Sequence, residues 1–219
     1  MTDASPLVVV AIDGPAGSGK STVARALARR LGLEYLDTGA MYRAVTLAAL
    51  RRGIDPGDEA RVAALARSLR LEVSGSEVLV DGVDAARAIR GGEVTAAVSA
   101  VAAHPQVRDE LRRRQRAWAE ARRGGVIEGR DIGTVVFPDA RLKVYLTASA
   151  QVRAQRRSAE DGSVDVEAVA ADLARRDTLD STRAASPLAV ADDAFTLDTS
   201  CLSVEQVVDE LAARVGSTG

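Results

Sequence analysis

The sequence predicts an α/β fold: a doubly wound parallel sheet of about five strands flanked by helices, with a small insert and a short lid. Three observations carry that expectation. Leu7 to Ile12 is an unbroken apolar run of strand length, rich in β-branched residues, which suits a strand buried on both faces. Strand-like pieces then alternate with helical patterns down the chain. Polar, glycine-bearing stretches follow several of the strand-like pieces, at the ends where an open parallel sheet binds ligands.

After the first strand, the helical pattern from Thr22 carries Val23, Ala26 and Leu27 to about Arg30, with Gly32 as a C-terminal stop. Glu34 to Leu36 reads as a short extended piece. A helix with Thr38 in the N-cap position then carries Met41, Val45, Leu47 and Leu50 to about Arg52. A turn cluster at Gly53–Gly57 precedes a short amphipathic helix with Val62, Leu65 and Leu69. Leu71–Val73 and Val78–Val80 form a hairpin around Ser74-Gly75-Ser76, and Asp81-Gly82 supplies another turn. Gly91-Gly92 opens a helix with Val94, Val98 and Val101 that breaks at Pro105, and a second, arginine-rich helix runs to about Arg122. Val126–Glu128 and Leu142–Leu146 are two more core strands. Helix 150–157 leads into Ser158–Ser163, a polar loop suited to a mobile lid, and another helix covers 166–177. Ala194–Leu197 is the last strand, and Ser203 with Gln206 forms a capping box that opens the final helix. The organisation expected is a single domain over 1–219. It comprises core 1–60, an insert of about 61–105, core 106–157, a lid of about 158–180 and core 181–219.

Between the first strand and its helix, Gly14-Pro15-Ala16-Gly17-Ser18-Gly19-Lys20-Ser21 fits G-x-x-x-x-G-K-[ST] at every position. The glycines let consecutive backbone N–H groups converge on an anion, and the new helix, opening towards Thr22, points its positive end there. In such a loop Lys20 is expected to carry charge to the β- and γ-phosphates, and the Ser21 hydroxyl to be a ligand for Mg²⁺ shared with nucleotide phosphates and water. Lys20 and Lys143 are the only lysines among many arginines, so a compact point charge stands where one is wanted. The loop predicts binding of a nucleoside triphosphate.

Composition narrows the rest. With 3% aromatic residues, aliphatic side chains must fill the core, and stacking platforms for single-stranded nucleic acid are not expected. A net charge of -2 argues against general polyanion binding, so the arginines act locally or pair with carboxylates. Single cysteine and histidine residues, Cys201 and His104, exclude an internal disulfide and multi-cysteine or imidazole metal clusters. His104 reads as a surface residue in the joint before Pro105. Met1–Pro6 is a polar tail without signal-peptide character, and no apolar run is long enough to span a membrane. A soluble, cytoplasmic protein is expected, with neither nucleic acid nor membrane as partner. Arg112, Arg113, Arg114, Arg116, Arg122 and Arg123 form a solvated helix face pairing with Asp109, Glu110 and Glu120.

Three further stretches bear on chemistry. Asp37-Thr38-Gly39-Ala40-Met41-Tyr42-Arg43 is a helix start plus an arginine, a site for a second phosphate. Glu128-Gly129-Arg130-Asp131-Ile132-Gly133 stands at the mouth of the expected cleft, and Arg175 to Arg183 brings arginines after the lid.

Together these stretches resemble bacterial cytidylate kinases, within the nucleoside monophosphate kinase family. The resemblance rests on DGPAGSGKST, LDTGAMYRAVTLAAL, SAVAAHPQVRDELRRRQR, EGRDIGTVVFPDA and RRDTLDSTRAASPL, which occur in the family's order and cover nearly the whole chain. It implies an ATP- and Mg²⁺-dependent kinase of CMP and dCMP, monomeric, with residues 71–89 in the monophosphate-binding insert. By that resemblance Asp37, Thr38, Tyr42 and Arg43 line the monophosphate site, with Arg43 and Arg130 on its phosphate. Ser99, Arg108 and Asp131 read the cytosine edge. Arg176 and Asp180 address the sugar, and Arg183 reaches the phosphate and the transferring group. Lys20, Arg130, Arg176 and Arg183 form the catalytic set. Gly14 to Thr22, with Arg153 and Arg157 as lid arginines, hold ATP. Some relatives have Ser in place of Thr38, which keeps the hydroxyl. Some have a charged run where Thr178-Leu179 and Ser181-Thr182 stand, which bears on the number of lid-side arginines.

The residues alone leave two other readings open. A kinase of another small acceptor (UMP, shikimate or dephospho-coenzyme A) would share the loop, although a hydroxyl acceptor usually wants a base. A GTPase-type switch would also share it, but no N-K-x-D guanine-reading motif is present.

Overall fold

The computed structural model describes residues 7–162 and 165–217. The expected polar tail Met1–Pro6 and Ser163 of the expected lid loop lie outside the described residues. In chain order the first elements are β1 (Val8–Asp13), α1 (Lys20–Leu31), β2 (Tyr35–Asp37), α2 (Thr38–Arg51), α3 (Glu59–Ser68), β3 (Leu71–Ser74), β4 (Glu77–Val80) and β5 (Val83–Asp84). There follow α4 (Gly92–Ala103), α5 (Pro105–Arg122), β6 (Gly124–Glu128), β7 (Leu142–Thr147), α6 (Ala150–Asp161), α7 (Val166–Thr182), β8 (Phe195–Asp198) and α8 (Val204–Ser217). They fall into two compact units, one of residues up to Tyr35 together with those from Arg122 onward, the other Leu36–Ala121.

The first unit is built on a five-stranded sheet in the order β2-β6-β1-β7-β8. β1 pairs in parallel with β6, from Val8 against Gly124 to Ile12 against Glu128, and in parallel with β7. β8 adds in parallel to β7. The apolar run of the first strand is therefore central, and Val9 to Ile12 are buried as a strand covered on both faces must be. Val23 and Leu27 of α1 and Val207 and Leu211 of α8 pack with Val10, Ile12, Val126, Val144 and Leu146 in one cluster. Each such side chain contributes roughly 1.5–3 kcal/mol of burial free energy. α8 opens as expected: Ser203 N donates to Gln206 Oε1 (2.9 Å) and Gln206 N to Ser203 Oγ (3.2 Å).

The second unit holds α2 to α5 and the antiparallel sheet β3-β4-β5. The hairpin is in the expected place, with Leu71 against Val80 and Ser74 against Glu77. The two-residue strand after Asp81-Gly82 was not expected. α5 begins directly at Pro105, where the missing N–H costs nothing.

Three boundaries differ from expectation. Asp37, not Thr38, caps α2, because its Oδ1 accepts from Ala40 N (2.9 Å) and Thr38 is already helical. Ser158–Asp161 is not loop: nothing breaks the helical pattern before Gly162, and α6 runs through it. α7 likewise continues past 177, so Asp180 is helical and Arg183 is the C-cap. His104 sits in the joint between α4 and α5 but is half-buried, its Nε2 2.7 Å from Pro56 O. No described helix is long and apolar enough to cross a membrane.

Candidate active site

The glycine-rich loop leaves the carboxyl end of β1 and closes on the start of α1. A Cβ on Gly14 would lie 2.0 Å from Leu146 O, and one on Gly17, at φ 75°, 2.8 Å from Arg153 O, so neither position admits a side chain. Lys20, the first residue of α1, is only 6% exposed. Its Nζ donates to Pro15 O (2.6 Å) and lies 3.4 Å from Ser18 Oγ, so the lysine folds back on its own loop. Burial and then the nearby Arg130 push its ammonium down to about 7, against the pull of Glu128, Asp13 and Asp177.

Ser21 Oγ donates to Glu128 Oε2 (3.0 Å), while the Tyr35 hydroxyl donates to Glu128 Oε1. Glu128 is buried at the end of β6 beside Ile12 of β1. A hydroxyl and a carboxylate side by side are hard oxygen donors of the kind Mg²⁺ takes. Among the described residues no group of three His, Cys, Asp or Glu side chains could hold a metal. The pair therefore fits a metal completed by phosphate and water oxygens.

The stretch after β6 is bound to β1. Gly129 N donates to Ile12 O (3.0 Å), and the Asp13 carboxylate accepts from Ile132 N (2.9 Å) and Gly133 N (2.7 Å). Ile132–Val136 is a single π-helical turn, a local form found disproportionately at functional sites. Arg130 Nε pairs with Asp180 Oδ2 at 2.9 Å. Arg183 lies 3.6 Å from Asp180 Oδ1 and 3.9 Å from Asp131 Oδ1, while its Nε donates to Ser186 O (2.8 Å). Burial, then Arg130 and Arg157, push the Arg176 guanidinium below its usual range. Four expected residues, Arg130, Asp131, Asp180 and Arg183, thus touch one another, with Arg176 in the same field.

The two expected lid arginines differ. Arg153 Nη1 donates to Ala16 O (3.1 Å) and pairs with Asp177, whose Oδ1 accepts from Ala16 N (3.3 Å). Arg157 pairs with its helix neighbour Glu160 (3.4 Å). Between them, the unexpected Arg156 bonds Thr199 Oγ1 (2.9 Å) and Thr199 O (2.8 Å), and its Nη1 lies 3.5 Å from Ser18 O. Sequence reasoning gave no role to Glu128, Asp13, Arg156, Asp177 or Thr199; their partners lie up to 181 residues away in sequence.

In the second unit, Arg43 Nη1 donates to Ile89 O (3.2 Å) and Thr95 Oγ1 (2.9 Å). Arg108 is buried, donates to Ala102 O (3.1 Å) and sits 5.4 Å from the Tyr42 ring centre. Ser99 lies on α4 one turn after Thr95, and Thr38 is buried at the start of α2. Thr95 was not expected.

A parallel sheet with this loop after its central strand, a buried lysine inside the loop and arginines around it defines a P-loop phosphotransferase. Solved structures agree on the fold: a sugar kinase from Janibacter superposes with a TM-score of 0.53 at 19% identity, covering 96% of this chain and 95% of that one. TT1252 from Thermus thermophilus gives 0.52 at 20% identity over 97% and 98%. The chain belongs to the cytidylate kinase family, whose model matches residues 10–217. It is 56% identical to the cytidylate kinase of Corynebacterium glutamicum over 93% of this chain and 92% of that protein. The cytidylate kinase of Nocardia farcinica is 53% identical over 100% and 99%. The chain is accordingly a nucleoside monophosphate kinase, and neither a kinase of an unrelated acceptor nor a switch is favoured.

Proposed function

We propose that the protein transfers the γ-phosphoryl group of ATP to the 5′-phosphate of CMP or dCMP, giving ADP and CDP or dCDP. One observation carries the reading: buried Lys20 lies inside the glycine-rich loop, and Arg130 presses electrostatically on both Lys20 and Arg176, a cost that bound phosphates remove. An oxygen of the acceptor phosphate attacks the γ-phosphorus in line, and the bond to the β,γ-bridging oxygen breaks. The acceptor is already anionic, so no base is required; the work is charge neutralisation and alignment.

In the first unit, the loop N–H groups and Lys20 hold the β- and γ-phosphates, while Arg130 and Arg183 take the acceptor phosphate and the transferring group. Arg176 and Asp180 take the sugar. In the second unit, Asp37, Thr38, Tyr42 and Arg43 serve the acceptor phosphate, and Ser99 and Arg108 the base. Ser21, with Glu128 behind it, would hold Mg²⁺ together with phosphate and water oxygens, and the ion supplies Lewis-acid neutralisation of phosphate charge. Arg153 and Arg157 serve the ATP side, and the lid of about residues 158–180 shields the transfer from water. Asp131 accepts from the cytosine amino group and repels the uracil carbonyl that would replace it.

ADP formation from ATP and Mg²⁺ with CMP, dCMP, UMP, AMP, GMP or shikimate tests the reading. Strong turnover with CMP and dCMP and weak turnover with UMP is expected. Acceptor-independent ADP release, or activity only with shikimate, overturns it.

A further inference from the structure

Asp13 has no part in the chemistry above, yet it is a buried carboxylate at the junction of β1 and the glycine-rich loop. Its two oxygens take two successive backbone amides, Ile132 N at 2.9 Å and Gly133 N at 2.7 Å. One residue earlier, Ile12 O takes Gly129 N at 3.0 Å. The stretch from Gly129 to Gly133 is therefore pinned at both ends to Ile12 and Asp13, the residues directly before Gly14. Arg130 and Asp131 are held between the pins.

We propose that Asp13 is a positioning residue for the phosphoryl acceptor: its carboxylate fixes Arg130 and Asp131 in register with the loop that holds the donor. The inference rests on the proposed function, in which those two side chains address CMP. Its physical content is that one short side chain shares its backbone with the donor loop and its hydrogen bonds with the acceptor loop. The two N–H groups each take a separate oxygen, and only a carboxylate offers two acceptor oxygens from one short side chain. Asparagine, nearly the same shape, would aim an NH₂ at one of the amides. The groups facing Asp13 are Lys20 at the head of α1, Asp131 beside the pinned amides and Tyr145 on β7. Burial raises its carboxyl to about 6, the two amides and Lys20 opposing and Asp131 assisting. It is ionised and bidentate at neutral pH, and protonation below about 6 turns one oxygen into an O–H donor and weakens its bond to an amide.

The test is Asp13→Asn, with steady-state kinetics for CMP and UMP and direct binding of a fluorescent ATP analogue. The expectation is a KM for CMP raised roughly 10-fold and a CMP-over-UMP preference cut by a similar factor, with ATP binding changed less than about 3-fold. Unchanged CMP kinetics, or ATP binding lost in step with CMP, overturns the proposal. Should the variant fail to fold, the wild-type protein decides without nucleotide. The backbone amide resonances of Arg130 to Gly133 should titrate together with a midpoint near 6, while those of Ser18 and Gly19 stay still. Flat amides at Ile132 and Gly133 overturn it. Wild-type protein that does not phosphorylate CMP overturns the proposed function instead, and the amide titration still judges the clamp.

Discussion

Two groups of arginines that look alike in the sequence are used in opposite ways. On α5, Arg112 pairs with Asp109, and Arg113 and Arg114 both pair with Glu110, all at helical spacing. Each charge is met locally, as the sequence leads one to expect of a solvated face. Arg114 does more: it donates to Leu69 O and Ala66 O (both 2.8 Å), two carbonyls at the end of α3 that would otherwise lack partners. In the first unit, Arg130 presses electrostatically on both Lys20 and Arg176, and Arg130 and Arg183 share the carboxylate of Asp180. Charge paired on a solvated face stabilises a surface a little; like charges crowded together and desolvated are held ready for an anion.

That contrast can be broken or sharpened by substitution. Lys20→Ala should fold and lose phosphoryl transfer by about 10³-fold, because nothing else in the loop places a charge on the transferring group. Near-wild-type turnover would end the assignment of the loop. Lys20 also predicts a proton linkage: its ammonium is near 7 when free, and bound phosphates favour the charged form. ATP binding at pH 8 should therefore take up protons, read by calorimetry in buffers of different ionisation enthalpy; release would contradict the buried, depressed lysine. Arg176→Ala should lower kcat/KM for CMP by roughly 10²-fold while leaving the melting temperature unchanged or raised, since it removes a repelled charge. A clear drop in stability would place Arg176 with the α5 kind.

Asp131→Asn should mainly narrow the gap between CMP and UMP, by about 10-fold in relative kcat/KM, and an unchanged ratio would reject base reading. The α5 group gives the smallest effects on activity. Arg114→Ala should cost about 1–3 kcal/mol of stability through the carbonyls it leaves unmet, with turnover retained. Arg113→Ala should change neither turnover nor melting temperature measurably. Loss of turnover in either variant would mean that this helix takes part in binding.

What could be read beforehand follows from how far apart interacting residues lie. Gly14 to Ser21 is legible because every donor the loop needs is contiguous. The Ser203–Gln206 capping box is legible for the same reason. Asp13 was passed over because its amide partners lie 119 and 120 residues on, and Asp177 because Ala16 lies 161 residues away. Thr38 reads as a cap because it is a hydroxyl at a helix start; the folded chain shows that the Asp37 carboxylate takes the free N–H of Ala40 instead. The lid loop was read from the polarity of Ser158–Asp161, but polarity alone does not end a helix, and α6 continues until glycine does.

The position of β1 in the sheet also orders events during synthesis. Its two neighbours, β6 and β7, are not made until residues 124–128 and 142–147, and everything from Leu36 to Ala121 intervenes. The intervening unit is contiguous, with its hairpin and helices formed by near neighbours, so it can compact on the ribosome first. The oldest strand in the described chain, and the nucleotide loop attached to it, stay unassembled longest. The nucleotide loop thus gains both of its neighbouring strands only after residues 124–147 are made.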